Sequence, residues 1–102
     1  MNTYTVTPVS GVTVSSSCYG VRKWGRQVTM GIILSGVTVS TSWATVATIP
    51  AEIAPDIIVA GQGSLGTAGL GAGVRVNASG EIQIAGAAAS NQTLRINMTW
   101  FV

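Results

Sequence analysis

Along this chain apolar and polar residues exchange places at every second position, the pattern of side chains thrown alternately to the two faces of a sheet. In residues 27–35, Val28, Met30, Ile32 and Leu34 fall on one face. Gln27, Thr29, Gly31 and Ser35 fall on the other, with Ile33 the lone apolar residue among them. Leu94, Ile96, Met98 and Trp100 alternate in the same way with Arg95, Asn97 and Thr99, which puts Trp100 in the core. Val74/Val76 and Ile82/Ile84 flank Asn77-Ala78-Ser79-Gly80, a cluster of turn formers in which glycine takes a positive φ, so residues 73–85 read as a β-hairpin. Weaker runs rich in β-branched residues cover 4–9, 11–15, 18–24, 37–39, 45–49 and 56–60. No stretch has helical period, and the glycine-dense residues 61–73 read as a loop. Short strands separated by turn signals predict an all-β fold, specifically an antiparallel β-sandwich of jelly-roll character.

The 102 residues make one domain, long enough for a core of its own. Residues 18–102 are expected to form the sandwich, with 1–17 either a first strand or the junction to something upstream. Composition then changes the picture. The chain is 47% apolar and only 8% charged, where a soluble domain carries about 25% charged residues, so its exterior is built largely from Ser, Thr, Gly, Ala and Asn. That apolar surplus needs more burial than one small core supplies, and a subunit interface would provide it.

Five basic residues against three acidic ones give a net charge of +2, and Arg22, Lys23 and Arg26 are the only basic cluster. A nucleic-acid surface needs a longer stripe of phosphate-neutralising side chains, so no nucleic-acid partner is expected. Apolar runs are broken well before the roughly 20 residues that span a bilayer, and no basic-then-apolar export pattern opens the chain, so no membrane insertion is expected. Cys18 is the only cysteine, which leaves neither an intrachain disulfide nor a cysteine-rich metal site.

There is no histidine, which removes Ser-His-Asp triads, Cys-His dyads and the common zinc sites together. The carboxylates are Glu52, Asp56 and Glu81, and Glu52 and Asp56 flank Pro55 in what reads as one turn, so they are expected to be solvated loop charges rather than a pair facing across a sugar. Gly61-Gln62-Gly63-Ser64-Leu65-Gly66 spells a dinucleotide fingerprint, with Glu81 at a plausible distance. The helix that such a motif must open is untenable, because Gly69, Gly71 and Gly73 each cost it about 1 kcal/mol relative to alanine. Three Asn-x-Ser/Thr triplets, at Asn77, Asn91 and Asn97, read as incidental polar surface in so Ser/Thr-rich a chain. No catalytic residue, metal or cofactor is expected.

Trp43 lies at a polar loop edge and Trp24 beside Arg22, Lys23 and Arg26. An exposed indole stacks on the apolar face of a sugar ring while amides and guanidinium groups fix its hydroxyls. Trp43, Trp24, Arg22, Asn77 and Gln62 are therefore the candidate saccharide contacts, although partial burial or a subunit interface suits either Trp equally well.

The order of segments carries a resemblance. Tyr19-Gly20-Val21-Arg22-Lys23-Trp24-Gly25-Arg26-Gln27-Val28 leads into an alternating strand; Ile49-Pro50 and Pro55 follow a second; Val74-Arg75-Val76 turns through Gly80 into Glu81-Ile82; an aromatic-ended strand closes the chain. Across residues 19–102 this resembles the C-terminal head domain of bacteriophage tail-tip or baseplate receptor-binding proteins. The glycine run at 61–73 departs from the ordinary loop of many such heads. The resemblance implies a β-sandwich head on the virion, assembled as a homotrimer, touching other tail or baseplate proteins and binding a host cell-wall saccharide without catalysis. The alternative is a structural trimerisation or docking module of the tail that touches no receptor.

Overall fold

A computed structural model describes residues 2–66 and 70–102. Among them ten strands are joined in one antiparallel sheet: β1 (Asn2–Tyr4), β2 (Thr7–Pro8), β3 (Thr13–Val14), β4 (Gly20–Trp24), β5 (Gln27–Val39), β6 (Ala44–Thr48), β7 (Val59–Leu65), β8 (Gly71–Val76), β9 (Glu81–Ala85) and β10 (Ala89–Phe101). The sheet order is β1-β4-β5-β10-β7-β8-β9-β6-β2, with β3 added to β5, and the whole curls into a half-barrel around a single apolar core. The fold is all-β, as the period of the sequence predicts.

The spine is the pairing of the two 13-residue strands β5 and β10, whose register runs from Ala89↔Val39 to Phe101↔Gln27. Val28, Met30, Ile32 and Leu34 from one strand, and Leu94, Ile96 and Trp100 from the other, are buried on its concave side. Each such aliphatic side chain contributes about 1.5–3 kcal/mol by leaving water. Two register slips bend the pair: Ser35 and Gly36 together oppose Thr93, and Ser90 and Asn91 together oppose Thr38, with Asn91 at φ 52. Extra residues of this kind raise the local twist, which lets so long a ribbon wrap its own core.

β10 pairs with its other neighbour, β7, only at Leu94–Ile96 against Leu65–Gly63. Beyond Ile96 the strands part, and the connection holding a 3₁₀ turn at Ala51–Ile53 packs there, with Ile53 fully buried and Trp100 Nε1 donating to the Ile53 carbonyl at 2.8 Å. The sheet thus has two lobes sharing a short seam: β1-β4-β5-β10 with β3, and β7-β8-β9-β6-β2. The N-terminal residues cross between them, β2 pairing with β6 and β3 with β5 on either side of a turn in which Val12 N–H donates to the Val9 carbonyl.

Several expectations need adjustment. Residues 27–35 and 37–39 are one strand, since the slip at Gly36 bends it without ending it. Residues 4–9 divide between β1 and β2, and of 56–60 only Val59 and Ala60 are extended in the sheet. The largest correction is the glycine-rich segment expected as a loop. Its Gly61–Leu65 portion lies in β7 and Gly71–Gly73 in β8, paired from Val59↔Val76 to Ser64↔Gly71. Gly63 faces the core, where an added Cβ would lie 2.7 Å from Leu94 Cδ1 and 3.1 Å from Val74 Cγ2, so glycine here marks close packing within a strand. Residues 67–69 of that stretch, Gly69 among them, and Met1 lie outside the described residues.

Candidate functional site

The convex face of the first lobe is laid out in rows by its register. Trp24, Gln27 and Phe101 form one row, Arg22, Thr29 and Thr99 the next, and Gly20, Gly31 and Asn97 a third. The two-residue turn Gly25-Arg26 sets the β4–β5 register, placing Trp24 opposite Gln27. The Arg22 guanidinium carbon stands 4.2 Å above the centre of the Tyr19 ring, and the Tyr19 and Trp24 ring centres are 6.4 Å apart. Both rings stay open to solvent, at 40% and 44% exposure. Arg22 Nε is sealed from solvent and has no hydrogen-bond partner among the described residues.

Beside this stack a pocket of about 150 Å³ is lined by Cys18, Tyr19, Gly31, Ile32, Ile33, Arg95 and Asn97. Its depth depends on Gly31. A Cβ there would come 3.0 Å from Asn97 Oδ1 and 3.1 Å from Tyr19 Cβ, so any side chain would fill the floor. The Arg95 guanidinium and Asn97 amide are exposed at the pocket and engage no partner among the described residues. An aromatic wall, a small floor and unpaired donors suit a sugar ring with hydroxyl or anionic substituents.

The second lobe carries another arginine on another aromatic ring. Arg75 lies 4.2 Å above the centre of the Trp43 ring. Here the polar groups are joined to one another: Arg75 Nε donates to Gln83 Oε1 at 2.8 Å, Gln83 Nε2 to Thr45 Oγ1 at 3.4 Å, and Thr45 Oγ1 to Glu81 Oε2 at 3.3 Å. Asn77 Nδ2 donates to Glu81 Oε1 at 2.9 Å, while Asn77 Oδ1 accepts from the backbone N–H groups of Ser79 and Glu81. The Asn77 hydrogen bond does most to hold the Glu81 carboxyl below its ordinary pKa; those from Thr45 and Ser79 add to it and partial desolvation opposes them.

Of the sequence candidates, Trp24 and Arg22 are brought together in the first lobe. Trp43 and Gln62 come close in the second: Gln62 pairs with Gly73, and a Cβ on Gly73 would touch the Trp43 ring at 3.4 Å. Asn77 is at the tip of the β8–β9 hairpin, its amide engaged in the turn. Sequence reasoning missed Tyr19, Arg95 and Asn97 beside the pocket, and Arg75. The available signal was Gly31, a glycine on the outward face of a strongly alternating strand.

Charge is divided between the lobes. Arg22, Lys23, Arg26 and Arg95 belong to the first, which has no acid; Glu52, Asp56 and Glu81 belong to the second or to the β6–β7 connection, with Arg75 the one cation there. The net +2 of the chain therefore conceals a +4 lobe facing a −2 remainder. The sequence matches no family model and no curated protein.

Proposed function

We propose that this chain is the receptor-binding head of a bacteriophage tail tip or baseplate, carried on the virion and recognising a saccharide of the host cell envelope without catalysis. The observation that carries this reading is the solvent-open Tyr19 and Trp24 rings, with Arg22 over Tyr19, standing beside a pocket where the Arg95 and Asn97 donors are unpaired among the described residues. It rests also on the ordered segments that resemble such heads. The two lobes meeting over one core, joined along a three-pair seam, are compatible with a jelly-roll sandwich. Three copies on a shared axis would multiply shallow contacts by avidity.

The test is binding of purified, fluorescently labelled protein to a panel of bacterial cells, Gram-positive and Gram-negative, and their envelope polysaccharides. Decoration lost on Trp24→Ala and kept on Trp43→Ala is expected. Absence of binding across the panel overturns the reading.

A specific observation favours the structural alternative. Ile57 and Ile58, just before β7, are 79% and 48% exposed, and Phe101, at the end of β10, is 68% exposed, apolar surface of the kind subunits or neighbouring tail proteins cover. A trimer by light scattering that dissociates on Ile57→Ser/Ile58→Ser, combined with no cell decoration, would identify a docking module instead.

A further inference from the structure

The saccharide reading leaves open what kind of sugar the first lobe takes, and its electrostatics narrow the choice. Four cations sit on that lobe without one acidic side chain among its strands and turns; Arg26 Nε donates to the Val102 oxygen at 2.6 Å, and no ion pair with an acidic side chain forms among the described residues. Arg75 of the second lobe and Arg95 of the first differ accordingly. Arg75 is joined through Gln83 and Thr45 to Glu81, whereas Arg95 stands at the pocket with all its donors free among the described residues. A guanidinium presents a planar fork of donors that matches a carboxylate or phosphate with two parallel hydrogen bonds, roughly twice as strong as neutral ones. Neighbouring Arg22 adds positive potential above Tyr19, and the amide of Asn97 adds a further donor at the rim.

We infer that the pocket between Tyr19, Arg95 and Asn97 receives the anionic substituent of an acidic saccharide, with Arg95 pairing to the anion and the Tyr19–Trp24 rings meeting the sugar. This rests on the saccharide reading and adds the anion to it. Carboxylate and phosphate share the chemistry, and the volume of about 150 Å³ admits the substituent and part of one ring. Gly31 is the specificity floor: Gly31→Ala would intrude on Asn97 Oδ1 and Tyr19 Cβ and shrink the site.

The experiment is a chemical-shift titration of the labelled protein at low salt with four probes: glucose, glucuronate, glucose 6-phosphate and inorganic phosphate. Both acidic sugars are expected to shift the amides of Tyr19, Gly31 and Asn97 at concentrations where glucose does not, and whichever binds tighter names the source of the anion. Raising NaCl from about 20 to 200 mM should weaken both, because exposed charge pairs are screened. Arg95→Gln should weaken both roughly tenfold and Arg95→Lys less, the fork being lost but the charge kept. Arg95 is exposed, so these variants retain the fold, and the salt series reads the same claim on the unaltered chain. Glucose binding as tightly as its acids, or affinity indifferent to salt and to Arg95→Gln, overturns the anion while the saccharide reading stands. Inorganic phosphate binding where no sugar does upholds the anion site and overturns the saccharide. Silence from all four overturns both.

Discussion

The two lobes each set an arginine over an aromatic ring at the same 4.2 Å, yet they use the arrangement differently. On Trp43 the arginine is the first member of a hydrogen-bonded chain that crosses β8, β9 and β6 and ends in the Asn77–Gly80 turn. On Tyr19 it has a sealed, unpartnered Nε, and the arginine and amide next to it are free among the described residues. A satisfied polar network fixes local structure, whereas unmet donors at an open pocket await an acceptor from outside. The second stack is thereby structural, and on the proposed function the first is the one left to recognise a ligand.

The largest expected effect probes how rigidly each lobe is held by its turn. Gly80, at φ 88, ends the Asn77–Gly80 hairpin loop; its N–H donates to the Asn77 carbonyl and its carbonyl receives the Ile49 N–H. Gly80→Ala would combine a left-handed backbone with a Cβ driven onto the Ile49 carbonyl oxygen, and should cost about 3 kcal/mol or more in urea unfolding. Gly25, in the β4–β5 turn, has φ 58 but open space around it. Gly25→Ala should cost only about 1 kcal/mol. Equal losses would mean that the two turns constrain their lobes alike.

Next comes the amide at that turn. Asn77→Ala removes the bond to the Glu81 carboxylate and leaves the Ser79 and Glu81 N–H groups without their acceptor. A loss of about 2 kcal/mol is expected by urea unfolding, with saccharide binding by the first lobe unchanged. If binding fell while stability held, Asn77 would be a ligand contact and the division of labour between the lobes would fail.

Acid should find the same lobe first. Glu81 has its folded pKa held below the ordinary value, so its contribution to stability is complete above the unfolded-state pKa and disappears as pH falls through the lowered one. Thermal unfolding followed downward from about pH 5 should show a declining Tm that Glu81→Gln makes shallower. A parallel decline in the variant would show that this carboxylate is not held by its neighbours in solution.

Much of the scaffold was legible because period two is a local property. The concave sets Val28/Met30/Ile32/Leu34 and Leu94/Ile96/Trp100, and the hairpin through Asn77–Gly80, are where the alternation puts them. The glycine-rich β7 was illegible for a physical reason. Glycines carry no apolar signal, and the need for Gly63 arises only when Leu94 and Val74 pack against it from other strands. The site was half legible for a similar reason. Trp24 and Arg22 lie close in sequence, but Asn97 reaches Gly31 only through the β10–β5 register, and Arg75 meets Trp43 across a fold that no local pattern encodes.

The smallest effect is the sharpest on the comparison itself, because a single substitution should change sign between the stacks. Lysine keeps an arginine's charge and much of its stem but has no Nε–H. At position 75 that hydrogen donates to Gln83 at 2.8 Å, so Arg75→Lys loses a satisfied bond and should cost about 1 kcal/mol. At position 22 it is sealed from solvent without an acceptor among the described residues, a state that costs about 1–3 kcal/mol in the free protein. Arg22→Lys removes that penalty and weakens the contact with Tyr19 by about 0.5–1 kcal/mol, so unfolding should show no loss or a small gain. A loss at position 22 as large as at 75 would show that Arg22 Nε is satisfied in solution. The first stack would then be as complete as the second, and the contrast between the lobes would rest on Arg95 and Asn97 alone.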